Sequence, residues 1–84
     1  MIRYTVVWHD DSKSQLAQAW IDATDRQSVT QAADAIDAIL AWDAPAKGTL
    51  VEGELHELSI APLRVLFGVS EPDRLVKIVN VEPI

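Results

Sequence analysis

The chain has 84 residues, 13 of them acidic and 7 basic, which gives a formal net charge of −6. This length fits one domain, residues 1–84, close to the lower limit for a single apolar core, so a partner that covers apolar surface would add to its stability. The absence of cysteine excludes disulfides, thiolate metal sites and cysteine nucleophiles. The negative charge disfavours direct binding of nucleic acid by the chain alone, and no apolar run approaches the roughly 20 residues that span a bilayer, so we expect a cytoplasmic protein with no membrane association.

The first two predicted elements are a strand and a helix. Ile2, Tyr4, Val6 and Trp8 alternate with more polar residues, which predicts a strand over residues 2–8. Residues 9–12 carry side-chain acceptors and acids typical of a helix start, so we interpret His9 as a capping residue and not as a metal ligand. Apolar side chains at helical spacing then predict a helix over about 12–23. We interpret Trp8 and Trp20 as core residues.

A second helix follows at once. Thr24 with Gln27 fits a capping box, and Asp25 is an alternative cap. One apolar stripe then runs along the helix: Val29, Ala32, Ala33, Ile36, Ile39 and Leu40. This helix should end near Asp43, because Pro45 and Gly48 do not continue it.

The last third of the chain predicts a three-strand antiparallel meander, with a further short strand candidate at 49–51. Its apolar runs, about 54–60, 63–70 and 74–81, are separated by Ala61-Pro62 and by a break at Pro72-Asp73. Counting back from the first loop pairs Ile60 with Leu63, Ser59 with Arg64, Leu58 with Val65, Glu57 with Leu66 and His56 with Phe67. Counting from the second loop pairs Val69 with Val76, Phe67 with Ile78, Leu66 with Val79 and Arg64 with Val81.

The two faces of this meander differ in composition. One face is a core: His56, Leu58, Ile60, Leu63, Val65, Phe67, Val69, Val76 and Ile78. The second face carries Leu55, Glu57, Ser59, Arg64, Leu66, Leu75, Lys77, Val79 and Val81. A face turned only to water would hold fewer aliphatic side chains, so the second face is the candidate site. The predicted fold is therefore α+β, with the order β-α-α-β-β-β and a helical hairpin packed on one face of a curved antiparallel sheet.

In this order the sequence resembles the RelE/ParE superfamily of toxins from bacterial type II toxin–antitoxin systems. The resemblance covers nearly the whole chain. It rests on the order and spacing of the segments 4–8 (YTVVW), 16–20 (LAQAW), 25–30 (DRQSVT), 32–37 (AADAID), 52–55 (EGEL), 62–67 (PLRVLF) and 73–76 (DRLV). It implies a small toxin that is neutralised by an antitoxin lying across its surface. Members of this family either cleave messenger RNA on the ribosome or inhibit gyrase. For this chain we expect no cofactor or metal, because its sequence has no glycine-rich phosphate loop and no metal-binding motif.

The resemblance also implies candidate catalytic residues. Arg64 matches the arginine on the third strand of the cleaving branch, where a guanidinium would stabilise charge on the scissile phosphate. His56 is a second catalytic candidate only if a one-residue bulge turned it to the second face, since counting places it at the rim of the core. The cleaving members carry basic residues where this chain has Leu55 and Glu57, and they place a catalytic residue after the last strand where this chain has none.

Three functions therefore remain in competition. The preferred one is a toxin that acts by protein–protein binding and is held by a cognate antitoxin, with gyrase or the ribosome as its target. The partner-binding residues would be Leu55, Glu57, Leu66, Leu75, Lys77, Val79 and Val81. The alternatives are a ribosome-dependent endoribonuclease that uses Arg64, and a repurposed domain whose second face forms a homodimer.

Overall fold

A computed structural model of the chain describes residues 2–84 and shows a helical hairpin against a five-stranded sheet. The strands are β1 (Thr5–Trp8), β2 (Thr49–Glu52), β3 (Leu55–Ile60), β4 (Leu63–Ser70) and β5 (Leu75–Pro83); the helices are α1 (Asp10–Asp22) and α2 (Arg26–Leu40). A short 3-10 helix covers Ala44–Ala46. The predicted order is confirmed, and the short candidate strand at 49–51 is present as β2.

The sheet has the strand order β1-β5-β4-β3-β2. Neighbours from β2 to β5 are antiparallel, whereas β1 runs parallel to β5, so the sheet is mixed and the expectation of a purely antiparallel sheet is wrong at this edge. A parallel pair needs a long connection, and the helices and three strands between β1 and β5 supply it.

The strand β1 begins at Thr5 and not at Ile2. The backbone N–H of Tyr4 donates to the carbonyl oxygen of Ala41 at 2.7 Å, and Arg3 forms a bridge with Trp42. The residues before β1 therefore pair with the chain that leaves α2, which removes them from the sheet.

Both helices begin at the side-chain caps that the sequence offers. Nδ1 of His9 accepts the backbone N–H of Asp11 at 3.3 Å, so its predicted capping role is confirmed and α1 starts two residues early. Asp25, and not Thr24, caps α2, where its Oδ1 accepts the backbone N–H of Ser28 at 3.2 Å. The second helix ends at Leu40, slightly before the predicted end.

The core lies between the hairpin and one face of the sheet. Its fully buried large side chains include Phe67 and Ile78 from the sheet and Ile36 and Leu40 from α2. The predicted inward direction of Phe67 and the predicted stripe of α2 are thereby confirmed. The prediction for Trp20 is wrong, because this side chain is 41% exposed and lies beneath the guanidinium of Arg26, 4.6 Å from the ring centroid.

The register of the meander is confirmed up to one point in β5. All five predicted pairs between β3 and β4 are present, as are the pairs of Phe67 with Ile78 and of Val69 with Val76. Beyond Phe67 the register shifts by one residue, so Leu66 faces Asn80 and Arg64 faces Glu82. A β-bulge with one extra residue, Val79, produces this shift.

The bulge returns Val81 to the inner side of the sheet. Val81 faces Val65 and is only 4% exposed, so its predicted place on the second face is wrong. Because side chains alternate along a strand, one inserted residue reverses the direction of every side chain beyond it.

Polar side chains of α1 form hydrogen bonds to β5 on both sides of the bulge. Oε1 of Gln15 accepts the backbone N–H of Val81 at 2.7 Å, and Nε2 of Gln15 donates to Oδ1 of Asn80 at 2.9 Å. The hydroxyl of buried Ser12 donates to the carbonyl oxygen of Ile78 at 2.8 Å. These bonds satisfy backbone groups on both sides of the irregularity, as buried main-chain groups require.

Candidate functional site

The candidate site is the face of the sheet opposite the helices, which we call the outer face. Strand pairing places on it Thr5, Val7, Leu55, Glu57, Ser59, Arg64, Leu66, Leu75, Lys77 and Glu82. Val79, the extra residue of the bulge, follows the buried Ile78 and is placed on this face by alternation. Val81 is excluded from it by the bulge. The additional members are Thr5 and Val7 of β1 and Glu82 of β5. The sequence reasoning omitted the first two because it paired the meander alone, and it omitted Glu82 because it ended the last strand at Val81 without a bulge.

Aliphatic side chains of the outer face stay partly open to solvent. Leu66, Leu75 and Val79 are half-buried, and Val7 is 39% exposed. Half-buried aliphatic groups on a sheet face without a covering layer leave apolar surface that a partner can bury. The predicted aliphatic character of this face is confirmed.

The middle of the outer face is open above the backbone of Gly68. This residue stands between Leu55 of β3 and Lys77 of β5 in the same row. A Cβ atom placed on Gly68 would meet no heavy atom within 4 Å. The row therefore has a shallow depression in which a partner could approach the main chain closely.

Arg64 and Glu82 form an ion pair at one end of the outer face. Nε of Arg64 donates to Oε1 of Glu82 at 2.6 Å, and a second guanidinium nitrogen donates to the same oxygen. The hydrogen bonds to Glu82 and its charge raise the pKa of the Arg64 guanidinium, with a smaller contribution from the charge of Glu57. Arg64 thus lies on the predicted face, but its partner is Glu82.

His56 lies on the inner side of the sheet. Its ring stacks on that of Phe67 with a centroid distance of 5.3 Å and an interplanar angle of 18°. The β3–β4 register is continuous through His56, so no bulge turns it outward. The structure therefore places His56 and Arg64 on opposite faces and does not bring these two catalytic candidates together.

The buried Nδ1 atom of His56 has no hydrogen-bond partner among the described residues. General acid–base chemistry needs a proton donor or acceptor within reach of the reacting group. A ring directed into the core beside Phe67 offers none to a molecule bound at Arg64.

A second concave surface lies on the helical side, which we call the hairpin groove. It has a volume of about 830 Å³ and is lined by Val6, Trp8, Lys13, Leu16, Ala17, Trp20, Ile21, Val29, Thr30, Ala33, Asp34 and Asp37. Sequence reasoning missed it because Leu16 and Trp20 fall on one helical stripe, which is also the pattern of a core. Ile21 also lines the groove and is 54% exposed, so the apolar stripe of α1 is wider than the core can cover.

Neither helix within 2–84 is long and apolar enough to cross a membrane. Over the same range, no group of three or more His, Asp and Glu side chains is arranged to hold a metal ion.

The fold is that of the RelE/ParE toxins. The chain superimposes on a chain of the toxin–antitoxin complex RelBE2 from Mycobacterium tuberculosis with a TM-score of 0.81 and 13% identity, over 99% of this chain and 100% of that one. A chain of the chromosomal ParDE toxin–antitoxin system from P. aeruginosa gives a TM-score of 0.75 at 13% identity, with 98% and 97% covered. A mutant of the E. coli toxin RelE in the free state gives 0.73 at 8% identity, with 98% and 84% covered.

Sequence comparison adds nothing to this result. No protein-family model matches the chain, and no curated protein is significantly similar to it. At such low identity the structural likeness establishes the fold and leaves the activity to be argued from the site.

Proposed function

We propose that this protein is the toxin component of a type II toxin–antitoxin system, that it acts by binding another protein, and that a cognate antitoxin neutralises it. The observation that carries the proposal is the likeness, over nearly the full length of each chain, to structures from the RelBE2 and ParDE complexes. The solved neighbours include chains from RelBE and ParDE systems, and the choice between binding and catalysis is argued from the outer face of this chain.

The outer face supports binding better than RNA cleavage. Cleavage through a 2′-hydroxyl needs a base, an acid and charge stabilisation. Arg64 is the one basic group on this face that matches the cleaving branch, and Glu82 already neutralises it. The net charge of −6 also opposes the approach of a phosphate backbone.

The proposed antitoxin contact is centred on Leu66, Leu75 and Val79. A disordered antitoxin segment would become ordered on these aliphatic groups, and its backbone could approach the sheet at Gly68. The remaining proposed contacts are Leu55, Glu57 and Lys77 at the edge of this patch. Val81 is not part of the contact, because it lies in the core.

The endoribonuclease alternative stays open to a direct test. It would use Arg64 after displacement of Glu82, with the ribosome supplying the rest of the site and the electrostatic attraction. Mapping of transcript 5′ ends after induction decides between the functions, since new 5′ ends that disappear in Arg64→Ala would establish cleavage and overturn the binding proposal.

Co-expression with the product of the neighbouring open reading frame tests the binding proposal. We expect growth arrest when the chain is expressed alone, rescue by the neighbouring product, and co-purification of the two proteins. The variant Leu66→Glu should abolish co-purification, because it places a charge in the centre of the patch. The matched variant Ile21→Glu changes an exposed residue of the hairpin groove and should retain it.

The outcomes separate the two surfaces. Loss of the complex in Ile21→Glu alone would show that the partner occupies the hairpin groove, and the outer-face proposal would then be wrong. Failure of the neighbouring product to bind, together with normal growth on expression, would overturn the toxin assignment itself.

A further inference from the structure

The guanidinium of Arg64 on the outer face could bind an oxyanion such as phosphate, but it is already paired with the carboxylate of Glu82. Arg64 donates from two nitrogens to a single carboxylate oxygen of Glu82. Both side chains remain partly exposed, with 39% and 43% of their side-chain surface accessible. The pair is therefore open to solvent and to exchange of one anion for another.

The position of Glu82 depends on the bulge in β5. If the same sequence paired regularly, without a bulge, Val81 would lie opposite Arg64, as counting from the turn predicts. With the bulge, Glu82 takes this place and Val81 enters the core. The bulge therefore exchanges an aliphatic neighbour of Arg64 for an acidic one.

The bulge in turn is held from the helical side of the sheet. Gln15 bonds both to the backbone N–H of Val81 and to the side chain of Asn80, the two residues that precede Glu82. An unpaired amide at this depth would be costly, so the side chain of Gln15 favours the shifted register over the regular one. The chain of contacts runs from α1 through β5 to the outer face.

We propose that Glu82 masks Arg64 against phosphate, that Gln15 positions this mask by fixing the bulge, and that the mask is what makes the outer face of this chain selective for protein over nucleic acid. The masking of Arg64 is argued from contacts within the chain and is tested without any partner, whereas the selectivity for protein rests on the proposed function. A guanidinium that is freed of its carboxylate binds phosphate through the same two donors.

The test is a titration of the whole protein with inorganic phosphate at constant ionic strength, followed by the Nε–Hε resonance of Arg64 in ¹H–¹⁵N spectra. In the unmodified protein this resonance should not respond to phosphate. In Glu82→Ala it should shift saturably, with an apparent dissociation constant at least about tenfold below the highest phosphate concentration that leaves the unmodified protein unchanged, because a charged hydrogen bond no longer competes.

The matched control is Glu57→Ala. It removes the same charge from the same face, and it leaves the Arg64–Glu82 bonds intact. Equal phosphate responses in Glu57→Ala and Glu82→Ala would show that net charge alone matters, which would overturn the mask. A response in the unmodified protein would overturn it as well. In the double variant Glu82→Ala/Arg64→Gln the response is followed at the backbone amides of β4 and β5, which should shift with phosphate in Glu82→Ala and stay unchanged in the double variant.

A second variant tests the positioning role of Gln15. Gln15→Ala should make the Arg64 resonance responsive to phosphate although Glu82 is still present, whereas Gln18→Ala, which removes a bond only to Asp22 within α1, should not. An Arg64 resonance that stays insensitive in Gln15→Ala would show that the bulge persists without Gln15 and would remove Gln15 from the proposal.

Discussion

The side-chain Oε1 of Gln15 accepts the backbone N–H of Val81 at 2.7 Å, which joins α1 to the last strand next to its bulge. Replacing Gln15 by alanine leaves this amide without a partner, and an unsatisfied buried donor costs about 1–3 kcal/mol. We therefore expect Gln15→Ala to lower the free energy of unfolding by that amount in denaturant titrations. Amide exchange at Val81 should also become faster than in the unmodified protein.

The neighbouring glutamine provides the control for this prediction. Gln18 lies one turn further along the same helix and bonds only to Asp22 in the exposed part of α1. Gln18→Ala should change the free energy of unfolding by less than about 0.5 kcal/mol. Equal losses in the two variants would mean that helix propensity, and not the contact with β5, determines the effect.

The reversal of side-chain direction beyond the bulge predicts different costs for two alanine variants. Val81→Ala removes two buried carbon atoms and should cost about 2 kcal/mol of folding stability, as expected for a truncation in a packed core. Leu66→Ala removes a larger but half-buried side chain from the outer face and should cost about 1 kcal/mol. Thermal or chemical denaturation that ranks the two variants in the opposite order would contradict the observed register.

The two glycines Gly68 and Gly48 should respond differently to a larger side chain. Gly68→Val should fold normally, because its Cβ meets open space on the outer face, but the added methyl groups should weaken partner binding. Gly48 has φ of +70°, and a Cβ there would lie 2.4 Å from the carbonyl oxygen of Glu57. Gly48→Ala should therefore cost about 1–3 kcal/mol, measured by chemical denaturation. Normal partner affinity in Gly68→Val would show that the partner does not cover the centre of the outer face.

The cap of α2 predicts a specific pH dependence. The hydroxyl of Ser28 donates to Oδ2 of Asp25 at 2.6 Å, and this bond, with that from the backbone N–H of Ser28, lowers the pKa of the Asp25 carboxyl below its ordinary value of 3.8. A lowered folded-state pKa stabilises the fold above pH 3.8 and loses this effect as the pH falls through the folded-state value.

The measurement is the melting temperature of Asp25→Ala as a function of pH. The variant should melt below the unmodified protein at neutral pH, and the difference should shrink as the pH falls below 3.8. The control Thr24→Ala alters the neighbouring cap candidate, which forms no side-chain cap bond, and should melt like the unmodified protein. A difference for Asp25→Ala that is constant with pH would show that its charge has no role in the cap.

Much of the fold follows from local rules that the sequence displays directly. The break at Ala61-Pro62 fixes the β3–β4 pairing, because every pair is counted outward from one short turn. The same counting fails beyond Phe67, since the bulge at Val79 is favoured by Gln15 of α1, which is far away in the sequence. The residues of β5 show no local pattern that predicts a contact with Gln15.

In the candidate site, too, the features set by local alternation were predictable and those set by the bulge were not. The position of Arg64 follows from alternation, but its partner Glu82 depends on the bulge and was not predictable from the turn. The exposure of Trp20 was missed for another reason: helical spacing gives the direction of a side chain, and it does not say whether a second layer covers it.

The most direct test of the proposed partner face is methyl NMR of the protein alone and in complex with the product of the neighbouring open reading frame. The account predicts that the methyl signals of Leu66, Leu75 and Val79 shift on binding, while those of Leu16 and Val29 in the hairpin groove stay in place. Shifts confined to Leu16 and Val29, with the outer face unchanged, would contradict it.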